Sequence, residues 1–160
     1  MNYFNPVKLV FGTLVRSKVT AECVGKSVLI ICSSTAYDRY SKDPELSALF
    51  SFASVTFEHG FESNPSLTDI IEISNKYRDS SLDLIVGLGG GSAMDVAKIA
   101  SVSIPAIAKG IHIDDLLKDS ALFSRFKAID CIQVSTTAGT GSEVTPFATV
   151  WDYESQQKKS

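Results

Sequence analysis

The chain has 160 residues, 44% of them hydrophobic, with 15 basic against 18 acidic side chains and a formal net charge of −3. That length and apolar share suffice for one domain around a hydrophobic core, and the balanced, scattered charge offers no basic field of the kind nucleic acid requires. No apolar stretch approaches the roughly 20 residues that cross a bilayer, and Met1 to Gly12 lack the basic start and apolar run of a secretory leader, so a cytoplasmic protein with no nucleic-acid or membrane partner is expected.

Val7, Leu9 and Phe11 alternate up to Gly12 and read as a strand or hairpin arm; Val15, Val19 and Cys23 then recur at helical spacing. Val28 to Cys32 is a continuous apolar run ended by Ser33, Ser34 and Thr35, the pattern of a strand buried on both faces. Asp43 and Pro44 open a short helix through Leu46, Leu49 and Phe50, and Ser54 to Glu58 is a second strand candidate. Asn64 and Pro65 fit the N-cap and first position of a helix whose buried face is Leu67, Ile70, Ile71 and Tyr77.

Leu84 to Leu88 is another buried strand, leading straight into Gly89, Gly90, Gly91 and Ser92 and then a helix from about Ala93 to Ser103, stopped before Pro105. Asp114 and Asp115 start an acidic-capped turn into Leu116 and Leu117. Ile129 to Val134 is a strand feeding a second polar loop, STTAGTGSE from Ser135 to Glu143, and Phe147 to Trp151 reads as a last strand before the polar tail 152–160. Strands alternating with helices specify an α/β fold, a doubly wound and mostly parallel sheet. Three widely spaced cysteines, Cys23, Cys32 and Cys131, suit reduced buried thiols better than a disulfide framework or a metal knuckle.

A strand that turns through glycines into a helix lets the backbone approach a phosphate, with free amides and the helix dipole facing the anion. Ser92 adds a hydroxyl, yet Ser92 and Asp95 also match a local capping box, and Lys98 suits either a surface ion pair or a phosphate contact. Gly87, Gly89 and Ser92 narrowly miss the dinucleotide fingerprint GxGxxG, and no Walker loop is present. The second loop gathers Thr136, Thr137, Gly139, Thr140, Gly141 and Ser142 at the same end of the sheet, where doubly wound folds bind ligands. Alone it is also a plausible turn, with Thr140 and Glu143 as another capping box.

Together, GGGSAMDVAK (Gly89 to Lys98) and TTAGTGSE (Thr136 to Glu143) resemble the iron-containing (group III) alcohol dehydrogenases, whose cofactor domain carries GGGSxxDxAK followed by PTTxGTGSE. Ser135 stands where that family usually has proline, and Asn64-Pro65 and Val7 to Gly12 extend the likeness upstream. The resemblance implies a Rossmann-related, dehydroquinate synthase-like cofactor domain over residues 1–151, with 152–160 a tail where a helical domain would begin. It implies that Gly89, Gly90, Gly91 and Ser92 hold the pyrophosphate of NAD or NADP, with Thr136, Thr137 and Thr140 lining the cleft. Asp95 would lie nearer the reacting end, and Asn64 near the adenosine ribose. Ser33 occupies the place where an acidic residue would grip the ribose 2′-hydroxyl; a neutral serine leaves NADP open.

Hydride transfer in the family uses iron or zinc to polarise the oxygen of a small alcohol or aldehyde, with an aspartate and histidines of the helical domain as ligands. This chain has only His59 and His112, each isolated, so it is expected to bind no metal itself, to lack that helical domain and to be inactive alone, as a truncated chain, a split protein or the product of a disrupted gene. A dehydroquinate synthase-like fragment shares the fold but not the later loop. A non-catalytic nucleotide-binding or dimerisation module, homodimeric through the N-terminal strand, is the remaining alternative.

Overall fold

A computed structural model describes residues 7–44, 53–153 and 155–159. Four parallel strands form the sheet: β1 (Ser27–Cys32), β2 (Ser54–Glu58), β3 (Leu84–Gly89) and β4 (Asp130–Ser135), in the spatial order β2-β1-β3-β4. Helices α1 (Val15–Cys23), α2 (Ser34–Tyr40), α3 (Leu67–Tyr77), α4 (Gly91–Ala108) and α5 (Ile113–Lys118) surround it. The helix expected from Asp43 through Phe50 runs outside the described residues.

The period-two geometry of a strand sends successive side chains to opposite faces, which is why the unbroken apolar runs of β1 and β3 need cover on both sides. Leu29, Ile31 and Ile85 pack with Ile70, Ile73 and Tyr77 of α3 and with Val96, Ala97, Ala100 and Ile104 of α4. Val28, Ile30, Cys32, Leu84, Val86 and Leu88 pack on the other face with Cys23 of α1 and Ala36 of α2. Burying one such branched side chain contributes about 1.5–3 kcal/mol, so the central pair β1–β3 anchors the fold more firmly than the half-exposed strand β2. The doubly wound reading holds.

Several expected boundaries move. Val7 to Phe11 form no strand, and Leu9 and Phe11 are 48% and 79% exposed. A β-strand is stable only beside a partner, and no described strand offers one there. The N-cap of α3 is Ser66 rather than Asn64: its hydroxyl accepts from the Asp69 amide while the Asp69 carboxylate accepts from the Ser66 amide, a complete capping box. Along α3, Ile73 and Ser74 are buried with Ile70 and Tyr77, while Ile71 faces outward. Helix α5 starts after His112, with Asp114 and Asp115 in its first turn but no side-chain cap.

Helix α4 does not stop at Pro105; it continues to Ala108. Proline in a helix interior leaves the carbonyl four residues earlier without its helical donor. Here that carbonyl belongs to Ser101, and it accepts instead from the Ile129 amide at 2.9 Å, just before β4. The last expected strand is shorter and lies apart: β5 (Val150–Asp152) pairs antiparallel with β6 (Gln157–Lys159), so the polar tail folds back on the chain.

Burial pushes the Cys131 thiol up to about 12 and the Cys32 thiol up to about 11. The Tyr77 phenol is likewise pushed up to about 12, by burial and then by its hydrogen bond to Glu58. Raised folded-state values favour the protonated forms, so this contribution is complete below pH 9 and is lost as pH rises from about 9 towards 12. Thermal melts at pH 8 and pH 11 should therefore show a clearly lower Tm at the alkaline pH; equal values would contradict the burial of these groups.

Candidate functional site

In the sheet order, β1 is flanked by β2 on one side and β3 on the other, so successive connections run in opposite directions and leave a crevice at the carboxyl ends of β1 and β3. The segments leaving those ends carry most of the candidate residues.

Gly89 closes β3 with φ +150, a conformation side chains rarely adopt. Gly90 is the N-cap of α4 and supplies no side-chain cap. The first amides of α4 are thus open to an anion at the positive end of an 18-residue helix. The expected capping box of Ser92 and Asp95 does not form, because Asp95 is engaged elsewhere. Its Oδ1 accepts from the Ser142 hydroxyl at 2.7 Å, and its Oδ2 accepts from the Thr149 amide at 3.2 Å. Lys98 makes a 3.4 Å ion pair with Asp95 and donates to the Phe147 carbonyl at 2.6 Å, tying α4 to the 145–149 segment.

The second loop stands against the first. The Thr136 amide donates to the Gly89 carbonyl at 2.9 Å, and the Ser135 hydroxyl donates to the Thr137 carbonyl at 2.8 Å. A β-carbon on Gly90 would lie 3.2 Å from Thr137 Oγ1, and one on Gly91 would lie 3.5 Å from Thr140 Cγ2. Thr137 and Thr140 therefore overhang the mouth of α4, while Thr136 to Thr140 remain exposed. Gly139 and Gly141, at φ +93 and +65, provide the left-handed turns that reverse the loop. Gly141, not Thr140, caps the 3-10 turn Ser142–Val144, and Thr140 Oγ1 accepts from the Ser142 amide at 3.4 Å; the expected box with Glu143 is absent.

Ser33 leaves the end of β1 as the N-cap of α2, exposed, its hydroxyl accepting from the Ala36 amide at 3.2 Å. Asn64 is also exposed; its carbonyl accepts from the Tyr153 hydroxyl at 3.4 Å, and neighbouring Pro65 accepts from the Trp151 amide, so its contacts run to the β5–β6 ribbon. The structure thus joins the glycine loop to Thr136, Thr137 and Thr140 by direct contact, and sets Asn64 apart. Sequence reading missed the link from Asp95 to Ser142; its only trace is that each residue sits in one of the two motifs.

His59 stacks on Tyr37 with centroids 3.9 Å apart, and His112 is the N-cap residue of α5. No group of three or more His, Cys, Asp or Glu side chains suited to a metal ion occurs among the described residues. Two cavities lie elsewhere: one of about 280 Å³ beside Glu58, His59 and Lys76, and one of about 360 Å³ beside Gly110, Lys118 and Arg125. No described helix is long and apolar enough to cross a membrane.

Comparisons with known proteins cover nearly the whole chain. The family profile described as "Iron-containing alcohol dehydrogenase" matches residues 6–160. NADH-dependent butanol dehydrogenase A of Clostridium acetobutylicum is 27% identical over 98% of this chain and 40% of its own length. A probable NADH-dependent butanol dehydrogenase 2 of Bacillus subtilis is 28% identical with the same coverage. The crystal structure of an iron-containing alcohol dehydrogenase from Thermotoga maritima superposes with a TM-score of 0.79 and 27% identity, over 99% of this chain and 44% of that one. The chain thus spans about 40% of the length of the curated relatives it matches.

Proposed function

Since the chain belongs to the iron-containing alcohol dehydrogenase family, we propose that it is the nicotinamide-dinucleotide-binding part of an oxidoreductase moving hydride between NAD(P) and a small alcohol or aldehyde. Residues 1–151 form that unit in this reading. The observation that carries it is the uncapped start of α4 at Gly90 and Gly91, with Thr137 and Thr140 against it. The residues present fit the cofactor: Gly89, Gly90, Gly91 and Ser92 would hold the pyrophosphate through backbone amides and the Ser92 hydroxyl, and Thr136, Thr137 and Thr140 would border it. A bound nicotinamide ring supplies the site that gives or accepts hydride. The chain's own contribution is to bind and orient the dinucleotide.

The residues present do not fit a metal, since no ligand cluster occurs among those described. In this reading the complete enzyme uses iron or zinc, held by an aspartate and histidines of the family's helical domain. Three free cysteines support a cytoplasmic setting. The exposed apolar residues Val7, Leu9, Val10 and Phe11 support pairing with a second copy through the N-terminal segment.

Ser33 governs the choice between NADH and NADPH in this reading, and fluorescence titration of the chain with both cofactors tests it. Both should bind. Aspartate is as good an N-cap as serine, so Ser33→Asp should keep α2 intact while weakening NADPH about tenfold relative to NADH through repulsion of the 2′-phosphate. An absence of fluorescence change with either cofactor at millimolar concentration would overturn the cofactor assignment; an unchanged ratio in the variant would remove Ser33 from the site.

A further inference from the structure

The loop from Thr136 to Gly141, exposed as far as Thr140, is held to the glycine motif at both of its ends. At its start the Thr136 amide donates to the Gly89 carbonyl, and at its end the Ser142 hydroxyl donates to Asp95 Oδ1. The same carboxylate holds the Thr149 amide through its other oxygen, and Lys98, one turn along α4, holds both Asp95 and the Phe147 carbonyl. Both oxygens of Asp95 are committed to the protein, and its side chain is only 19% exposed. Between the two anchors, Gly139 and Gly141 give the loop its turns and would otherwise leave it loose.

We propose that Asp95 is a positioning residue: it clamps segment 142–149 onto α4 and so holds Thr137 and Thr140 against Gly90 and Gly91, making the two motifs one rigid unit. It acts through Ser142 and Thr149 rather than through the dinucleotide. The proposal deepens the cofactor reading, on which its binding arm rests.

Hydrogen exchange without cofactor tests the clamp independently of that reading. In Asp95→Ala, exchange across 142–149, the Thr149 amide above all, should rise by about tenfold or more while the protection of β1 and α3 is unchanged. Ser142→Ala removes a single hydroxyl from an otherwise intact fold and should produce the same local effect, more weakly. In NADH titrations each variant should weaken binding, and the double variant should bind no worse than Asp95→Ala alone, because the two changes break one link. Asp95→Asn, which retains an acceptor for Ser142, should restore part of the loss.

Unchanged exchange across 142–149 in both variants would overturn the proposal. So would binding losses that multiply in the double variant, which mark Asp95 as a direct ligand. If Asp95→Ala fails to fold, Ser142→Ala decides by the same exchange criterion. If the unaltered chain binds no NADH, the cofactor reading fails while exchange still decides the clamp.

Discussion

In an NADH titration, Gly90→Val should lose binding by at least about a hundredfold while the chain still unfolds cooperatively. The reasoning is local. Gly90 has φ −84 and ψ −171, which valine tolerates, so the backbone is not strained by the change. The new β-carbon would lie 3.2 Å from Thr137 Oγ1, and the branched methyls would fill the space where an anion meets the first amides of α4. Losing two hydrogen bonds to a charged group costs about 3 kcal/mol or more, which corresponds to roughly a hundredfold in affinity. Urea unfolding supplies the control: a stability change within about 1 kcal/mol with binding lost supports a phosphate at this turn. Full retention of NADH affinity would remove the glycine loop from the site.

The second large effect is on stability. Gly87→Ala should destabilise the chain by about 2–3 kcal/mol, the upper range for overpacking a tight core with one small group. Gly87 lies on the face of β3 that receives α4, and a β-carbon there would sit 2.8 Å from the Ala97 β-carbon and 3.2 Å from the Met94 α-carbon. It would also meet the Gln133 side-chain oxygen at 2.5 Å. The glutamine can swing aside, but the helix cannot retreat without opening the contacts of Val96, Ala97 and Ala100 with β1 and β3. A lowered midpoint in urea with an unchanged slope is the expected record. A neutral result would mean that α4 rides further from the sheet.

These two glycines differ in how visibly the sequence announces them. Gly90 belongs to a motif and is flagged by chemistry, whereas Gly87 sits inside an apolar run and matters only because α4 returns to cover it. The same division applies elsewhere. The central strands were legible because double-sided burial leaves an unbroken apolar signature in Val28 to Cys32 and Leu84 to Leu88. The cap of α3 was misplaced because Asn64-Pro65 and Ser66-Asp69 are both valid openings, and only the reciprocal bonds of Ser66 and Asp69 choose between them. The Val7 to Phe11 alternation is a strand pattern without a strand, since period-two spacing says nothing about whether a partner exists. Asp95 stands out in the sequence as a motif residue, but its engagement does not: Ser142 and Thr149, which donate to it, are 47 and 54 positions away, and no local spacing rule reaches that far.

The proline inside α4 has one more consequence. By releasing the Ser101 carbonyl to the Ile129 amide, it clasps the chain on either side of residues 109–128, which hold α5 and the 3-10 turn Ser120–Arg125. Its two ends are pinned together and Ile113 anchors its first part in the main core, which leaves its length most free to vary beyond α5. Doubling such a loop adds only about 0.6 kcal/mol of closure cost, so insertions and deletions here should leave β4, and the hydroxyl loop it carries, in place. Variation among relatives can accumulate at this end of the molecule while the opposite end keeps its spacing.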